Sequence, residues 1–287
     1  MANEIMDPVL FFPRHELLKE HIEYYYFLKT EDPLFEVTYF AFPSVNTPLN
    51  IHKNVDISIL SNFTSVSGVQ NENYFSIIQG IRSVPLKVTF KGKIDKVTIA
   101  FKPLGINHFL DCSFFEVAAK DSQMFSLWED RDDYKKFIAD FYSINDLEER
   151  VGLLENFLIS MYRPFSRYKH LRAAIDLLIN FESEMSIAEV ALKVELNSRT
   201  LNRLFREHIG ISPAGFKKIA RFRHALNNKL FKDQFKRLTD IGNQSNFYDQ
   251  SYFINIYKKM SGSRPGEFFE KVRKLGNDQL LFRFLEI

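Results

Sequence analysis

Two stretches in the carboxy-terminal third repeat one another, and this duplication limits the fold more than any other feature of the chain. Leu201, Phe205, Gly210, Pro213 and Phe216 recur 52 residues later as Phe253, Tyr257, Gly262, Pro265 and Phe268. Upstream, Ile187, Val190 and Ala191 recur at an offset of 51 as Leu238, Ile241 and Gly242. A period this long does not suit a coiled coil and does suit a duplicated supersecondary unit. Each copy reads as an amphipathic helix, a short turn, and a second helix opened by a capping side chain, Asn197 in the first copy and Asp249 in the second. Ala191 and Gly242 are small because two helices crossing steeply across a turn of about three or four residues leave no room for more. Asn246 sits where the second turn needs a positive φ, which Asn tolerates better than most residues.

The second helix of each copy carries the candidate chemistry. Over Ser198 to His208, Leu201, Leu204 and Phe205 form the apolar stripe, while Arg199, Asn202, Arg203 and Arg206 fall at i, i+3, i+4 and i+7 on another face. Arginine beside asparagine supplies donors for guanine O6/N7 and adenine N6/N7 in a major groove, with the outermost arginine free for phosphate. A lone helix of this kind is more often a solvated charged face; the duplication reverses that preference. Over Gln250 to Met260 the buried stripe is Phe253, Ile256, Tyr257 and Met260, leaving Gln250, Ser251, Ile254, Asn255 and Lys258 outward. Gln and Asn can read adenine and Ile254 can meet a thymine methyl, so this second face leans towards A·T. The more basic first unit is expected to bear most of the affinity.

Charge supports a polyanionic partner for this region. The net charge of +2 conceals 16 Lys and Arg against 23 Asp and Glu in residues 1–165, a balance of −7, and 22 against 13 in residues 166–287, a balance of +9. A basic half joined to an acidic one is the asymmetry of a chain whose halves meet different partners. The expected domains are therefore 1–165 and 166–287, divided at Arg163-Pro164-Phe165-Ser166. Cys112 is the only cysteine, so an internal disulfide and a cysteine-based zinc site are both excluded. The first residues lack a basic segment leading into an apolar run, and no run approaches the roughly 20 apolar residues of a membrane span. A cytoplasmic protein with no membrane partner is expected.

The first half is expected to be β-rich, a small barrel or sandwich, followed by helices. His15 to Phe27 starts with helical spacing and ends in Tyr24-Tyr25-Tyr26-Phe27, a helix running into a strand. β-Rich runs follow at Phe35 to Phe42, Val55 to Leu60, Tyr74 to Gln79, Leu86 to Phe90 and Lys96 to Phe101. Past Pro103-Leu104-Gly105 the pattern becomes helical. From Tyr168 onward it predicts an all-α region of seven short helices, at Lys169–Asn180, Ile187–Val194, Ser198–His208, Pro213–Phe231, Arg237–Gln244, Gln250–Met260 and Pro265–Leu275.

The stretch SIAEVALKVELNSRTLNRLFREHIGISPAGFKKIARFRHA, followed by LTDIGNQSNFYDQSYFINIYKKMSGSRPGEF, resembles the DNA-binding domain of the AraC/XylS family over residues 168–273. Its most specific parts are Arg221-Phe222-Arg223-His224-Ala225 and Phe247-Tyr248-Asp249-Gln250-Ser251-Tyr252-Phe253. The resemblance implies two helix-turn-helix subdomains joined by a linker helix, here Phe216 to Phe231, with reading helices in successive major-groove turns about 34 Å apart. It implies base contacts from Arg199, Asn202 and Arg203 in the first unit, and from Gln250, Ser251, Ile254 and Asn255 in the second. Gly242, Asn246, Tyr257 and Asn255 depart from the family's usual Ala, Gly, Phe and Arg. The first half more weakly resembles the cupin-like sensor domains of some members, through Phe12-Pro13 with Leu17-Leu18, Gly80 to Pro85, and Phe101 to Gly105. That resemblance implies a small-molecule effector or a homodimer; for the chain as a whole, double-stranded promoter or operator DNA and contact with RNA polymerase are the expected partners.

Two alternatives stay open at this point. One keeps DNA binding and makes the first half a ligand-free dimerisation or protein-docking domain. The other, more remote, is an enzyme with an appended DNA-binding module. No Ser/His/Asp pattern, Walker loop or G-x-G-x-x-G is present, and His15, His21, His52 and His108 lack the H-x-H spacing of a metal cupin. No catalytic residue, cofactor or metal is therefore expected.

Overall fold

The computed structural model describes residues 8–230, 250–275 and 280–284. Two six-stranded sheets, built from ten strands of the first half and two from the carboxy-terminal end, form the β-rich body. One runs β1 (Val9–Phe11), β2 (Ile22–Thr30), β9 (Ile94–Phe101), β4 (Thr47–Lys53), β7 (Tyr74–Ile78), β10 (Gln123–Met124). The other runs β11 (Arg273–Leu275), β12 (Leu280–Phe284), β3 (Glu36–Ala41), β8 (Leu86–Lys91), β6 (Phe63–Gly68), β5 (Val55–Leu60). Ladders are antiparallel except β6 with β8, which is parallel.

The aromatic run at Tyr24–Phe27 follows from a strand buried on both faces. In β2, Tyr26 and Leu28 point between the sheets to meet Val37, Val66, Val88 and Phe90. Tyr25 and Phe27 point the other way, onto helices α3 (Asp132–Ser143) and α4 (Leu147–Met161), where Phe137, Phe141, Val151, Leu154 and Leu158 complete a second core. A two-faced strand must be apolar at consecutive positions. As expected, a helix precedes it: α1 is Glu16–His21, opened by His15, whose Nδ1 accepts from Leu17 N at 3.2 Å.

Arg150 ties α4 to the sheet. Its side chain is 1% exposed, forks onto Asp95 through bonds of 2.7 and 3.0 Å, and donates to Ile144 O at 2.7 Å. A short α2 (Phe114–Val117), opened by a Ser113–Glu116 capping box, lies between the sheet and the carboxy-terminal helices.

Those helices are α5 (Tyr168–Ile179), α6 (Ile187–Lys193), α7 (Ser198–Ile209), α8 (Pro213–Leu230), α9 (Gln250–Ser261) and α10 (Pro265–Lys271). The expected helix at Arg237–Gln244, together with Gly242, Asn246 and Asp249, lies outside the described residues. One expectation is corrected: the last helix ends at Lys271 rather than Leu275. Arg273–Leu275 pairs with Leu280–Phe284, and Phe282, Arg283 and Phe284 pair with Ala41, Phe40 and Tyr39. The chain thus returns from its helices to extend the sheet at β3. Besides β11 and β12, which fall in a region expected to be all-α, the strands β4 and β6 and the short β1 and β10 escape the sequence reading.

The helices dock on the sheets through two apolar joints. Phe42 packs with Phe222, Tyr257 and Phe268, its ring 4.9 Å from that of Phe268. Leu104 joins the cluster of Leu171, Leu201, Phe205 and Phe216.

Candidate nucleic-acid interface and buried cavity

The first helix-turn-helix unit is built by its caps. Ser186 accepts from Glu189 N at 3.2 Å while Glu189 accepts from Ser186 N at 2.7 Å, a reciprocal box that starts α6. Glu195 in the turn takes φ +56°, and Asn197 accepts from Thr200 N at 2.8 Å to start α7. At an offset of 51 Glu195 matches Asn246, so the first copy does use a left-handed residue at this place. Leu201, Leu204, Phe205 and Ile209 are buried, as are Val190 and Ala191 across the turn.

With that stripe buried, Arg199, Arg203 and Arg206 are exposed on the outer face and Asn202 is half-buried. Arg203 Nη1 donates to Glu207 at 2.7 Å and Asn202 Nδ2 donates to Ser198 O at 2.9 Å. Among the described residues no carboxylate pairs with Arg199 or Arg206. In α9, Asn255 and Lys258 are exposed, while Ile254 is half-buried at the edge of the cluster around Phe222 and Tyr257. That packing is a sufficient reason for an isoleucine here, independent of any base contact. Gln250 and Ser251 stand in the first turn of α9, and their side chains lie outside the described residues.

The far end of α7 is held by the β-rich half. Gly210 closes the helix at φ +83°, and its N–H reaches Phe205 O and Arg206 O. Asn107 Nδ2 donates to His208 O at 2.9 Å. Nearby, the His21 and His108 rings lie 4.0 Å apart between centroids with their planes tilted by 32°, and Tyr162 and Tyr168 stand against both. Burial, then His108, holds the His21 pKa down to about 4. Scattered in sequence, these two histidines are neighbours in the fold; among the described residues no group of three or more His, Cys, Asp or Glu is placed to hold a metal ion.

Between the sheets lies a cavity of about 100 Å³ that the sequence reading did not locate. Lys96 from β9, 2% exposed, donates to Tyr26 Oη at 3.2 Å and Asn50 Oδ1 at 3.1 Å, its ammonium lying over the Tyr26 and Phe90 rings. Arg82, 6% exposed, donates to Gln79 Oε1 and to the carbonyls of Ala41 and Phe42, and its Nε finds no acceptor. Arg223, from α8, donates to Pro43 O at 2.6 Å and Phe42 O at 3.1 Å. Burial pushes the Arg82 pKa down to about 10, with Arg223 adding to the effect; burial also lowers Arg223. His52, on the same wall, is held neutral by burial and by Lys96, and its Nδ1 has no partner. The signals for this site were a lysine inside an apolar strand and two arginines within segments already singled out, Gly80 to Pro85 and Arg221 to Ala225.

A helix-turn-helix domain family matches residues 191–271. The chain is 32% identical over 97 residues to the arabinose operon regulatory protein of Escherichia coli K12, covering 34% of this chain and 32% of that protein. It is 25% identical over 115 residues to YtdP, an uncharacterized HTH-type transcriptional regulator of Bacillus subtilis 168, covering 39% of this chain and 15% of the relative. The match thus spans about a third or less of the length of these relatives. Among solved structures, ToxT of Vibrio cholerae aligns over 85% of this chain and 97% of its own at 12% identity and a TM-score of 0.45. The C-terminal domain of AraT, a response regulator from Geobacillus stearothermophilus, aligns over 37% and 88% at 19% identity and a TM-score of 0.34. No helix among the described residues is long and apolar enough to cross a membrane.

Proposed function

We propose, from the premise that the carboxy-terminal region is an AraC-type helix-turn-helix domain, that this chain is a sequence-specific DNA-binding transcription regulator. The observation that carries the reading is the outer face of α7, where Arg199, Arg203 and Arg206 stand exposed on a helix whose opposite face is buried. Arg199, Asn202 and Arg203 read bases in the major groove and Arg206 takes a phosphate; Gln250, Ser251, Ile254, Asn255 and Lys258 form the second reading surface. The Glu207 carboxylate holds Arg203 in the free protein and gives it up, or braces it, on docking. Residues 1–165 act as the regulatory domain, and the polar cavity inside it favours an effector over a ligand-free dimerisation role. Homodimerisation and contact with RNA polymerase belong to the same reading, as does work in the cytosol beside the DNA.

The test is fluorescence anisotropy with labelled duplex from the region upstream of the chain's own gene, across a salt series. Arg203→Ala is expected to weaken binding to the preferred site by about 1–3 kcal/mol and to relax preference at one base pair. An equal loss on random duplex would reduce Arg203 to a phosphate contact, and no binding at any salt would refute the function.

A further inference from the structure

The geometry points to a ligand class for the cavity: a small organic oxyanion, held by Lys96 and Arg82 from the barrel and by Arg223 from the linker helix. This rests on the reading of residues 1–165 as the regulatory half. Three cationic side chains line one cavity, yet no Asp or Glu is among the described residues that line it. Their present partners are neutral: carbonyls, an amide, a phenol and aromatic faces. Arg82 and Arg223 both donate to the single carbonyl of Phe42, so two guanidiniums are held together without a counter-charge. The Asp121 carboxylate acts on Arg82 from outside the lining. Buried charges are ordinarily paired, because an unpaired one forfeits its hydration without return. An anion entering this space supplies what the fold withholds.

Size and surroundings narrow the class further. A cavity of about 100 Å³ is on the scale of one small molecule, as an apolar cavity of about 150 Å³ holds one benzene, and has no room for a long chain. His52 Nδ1 and Arg82 Nε, both buried and unpartnered, offer further polar contacts, while Val66, Ile77 and Val88 form an apolar wall. The ligand is therefore a compact acid with one charged end, and through Arg223 it touches the helix that joins the two reading units.

Thermal unfolding of the full chain tests this with benzoate, glycerate and inorganic phosphate, set against benzamide and glycerol as uncharged counterparts. Wild type, Lys96→Met, Arg82→Gln and Arg223→Gln are compared. At least one oxyanion is expected to raise Tm saturably where its uncharged counterpart does not, with a carboxylate or phosphate response naming the source. Lys96→Met and Arg82→Gln should weaken that response about tenfold or more. Their ligand-free Tm should stay at or above wild type, because each removes a buried charge that lacks a carboxylate. Arg223→Gln should break the link between the oxyanion and DNA affinity. The proposal is overturned if no oxyanion outperforms its counterpart, if the rise survives in all three variants, or if the ligand-free variants lose several degrees and so prove structural. DNA binding by the same samples reports separately: wild type that binds its upstream duplex and ignores every oxyanion keeps the regulator and loses the ligand, and the converse result does the opposite.

Discussion

Gly210 and Gly262 occupy the same place in the two repeats, and the structure gives them different reasons for being glycine. Both are left-handed, at φ +83° and +77°, and both close a helix by donating to carbonyls of the last turn. Alanine in that conformation costs about 1–2 kcal/mol, of which about 0.4–1 is returned through the less flexible unfolded chain. A methyl group on Gly262 would meet only Pro85 Cγ at 3.7 Å, an ordinary contact, so Gly262→Ala should cost about 1 kcal/mol or less. A methyl group on Gly210 would lie 3.0 Å from Phe114 Cε1 and 3.4 Å from Cδ1. Phe114 is 1% exposed and packed in the core, so it cannot swing away, and overpacking adds about 1–3 kcal/mol. Gly210→Ala should therefore cost about 2–4 kcal/mol in all. Urea unfolding followed by far-ultraviolet circular dichroism and by the fluorescence of Trp128, the only tryptophan, measures both variants. Phe114→Leu should recover about 1–2 kcal/mol of the Gly210→Ala loss in a double-mutant cycle and none of the Gly262→Ala loss. Equal losses at the two glycines, or no coupling to Phe114, would refute the docking of α2 against the end of α7.

Two other perturbations test the frame that holds the site. Arg150→Met leaves Asp95 and the Ile144 carbonyl without their donor, at a cost of about 3–5 kcal/mol by chemical unfolding; Asp95→Asn in the same chain should restore part of it, and a loss below about 1 kcal/mol would show the pair to be solvated. Because His21 holds its pKa down to about 4 in the fold, the unfolded chain takes up the proton first; its contribution is complete above the ordinary value of 6.5 and fades as pH falls towards 4. His21→Leu should flatten the acid limb of the Tm-against-pH curve, and an unchanged limb would assign that limb to other groups.

Legibility in the sequence follows from how much of each element's pattern its own burial dictates. α7 was readable because one face is buried and the other is not, and because Asn197 and Gly210 mark its ends. β2 was readable because both of its faces are buried. β4 escapes because its inward positions, Asn50 and His52, are polar and Pro48 stands near its start, so no apolar run forms and only a brief alternation of Leu49 and Ile51 with Asn50 and His52 remains. Lys96 and Thr98 interrupt β9 in the same way, although enough of its other positions are apolar to reveal the strand. The residues that obscured the pattern are the ones that line the cavity, as expected where function overrides packing. Phe268, Val272 and Leu275 continue a helical spacing and so predict a longer last helix, whereas strand pairing with Leu280–Phe284 decides the backbone at Arg273–Leu275. The contact of His21 with His108 depends on tertiary structure alone.

The helix α8 is where these parts meet, and its spacing sets which of its residues face each core and which face the barrel. Phe216 and Ala220 belong to the core of the first unit, whereas Ile219, Phe222 and Leu226 belong to the core that holds α9 and α10. Lys217 and Arg221 pair with Glu184, in the segment leading into α6. Arg223 leaves the helix on yet another side and is fixed to the carbonyls of Pro43 and Phe42, just beyond the end of β3. A helix packed into two cores at once cannot bend to satisfy one of them, since close-packed interiors transmit strain and do not absorb it. It can shift only as a rigid body, and the Arg223 bonds resist that shift by tying it to the cavity wall. On the proposed reading, a molecule that competes for the Arg223 guanidinium, or displaces the Phe42 carbonyl, is expected to change the stance of α8 against the barrel.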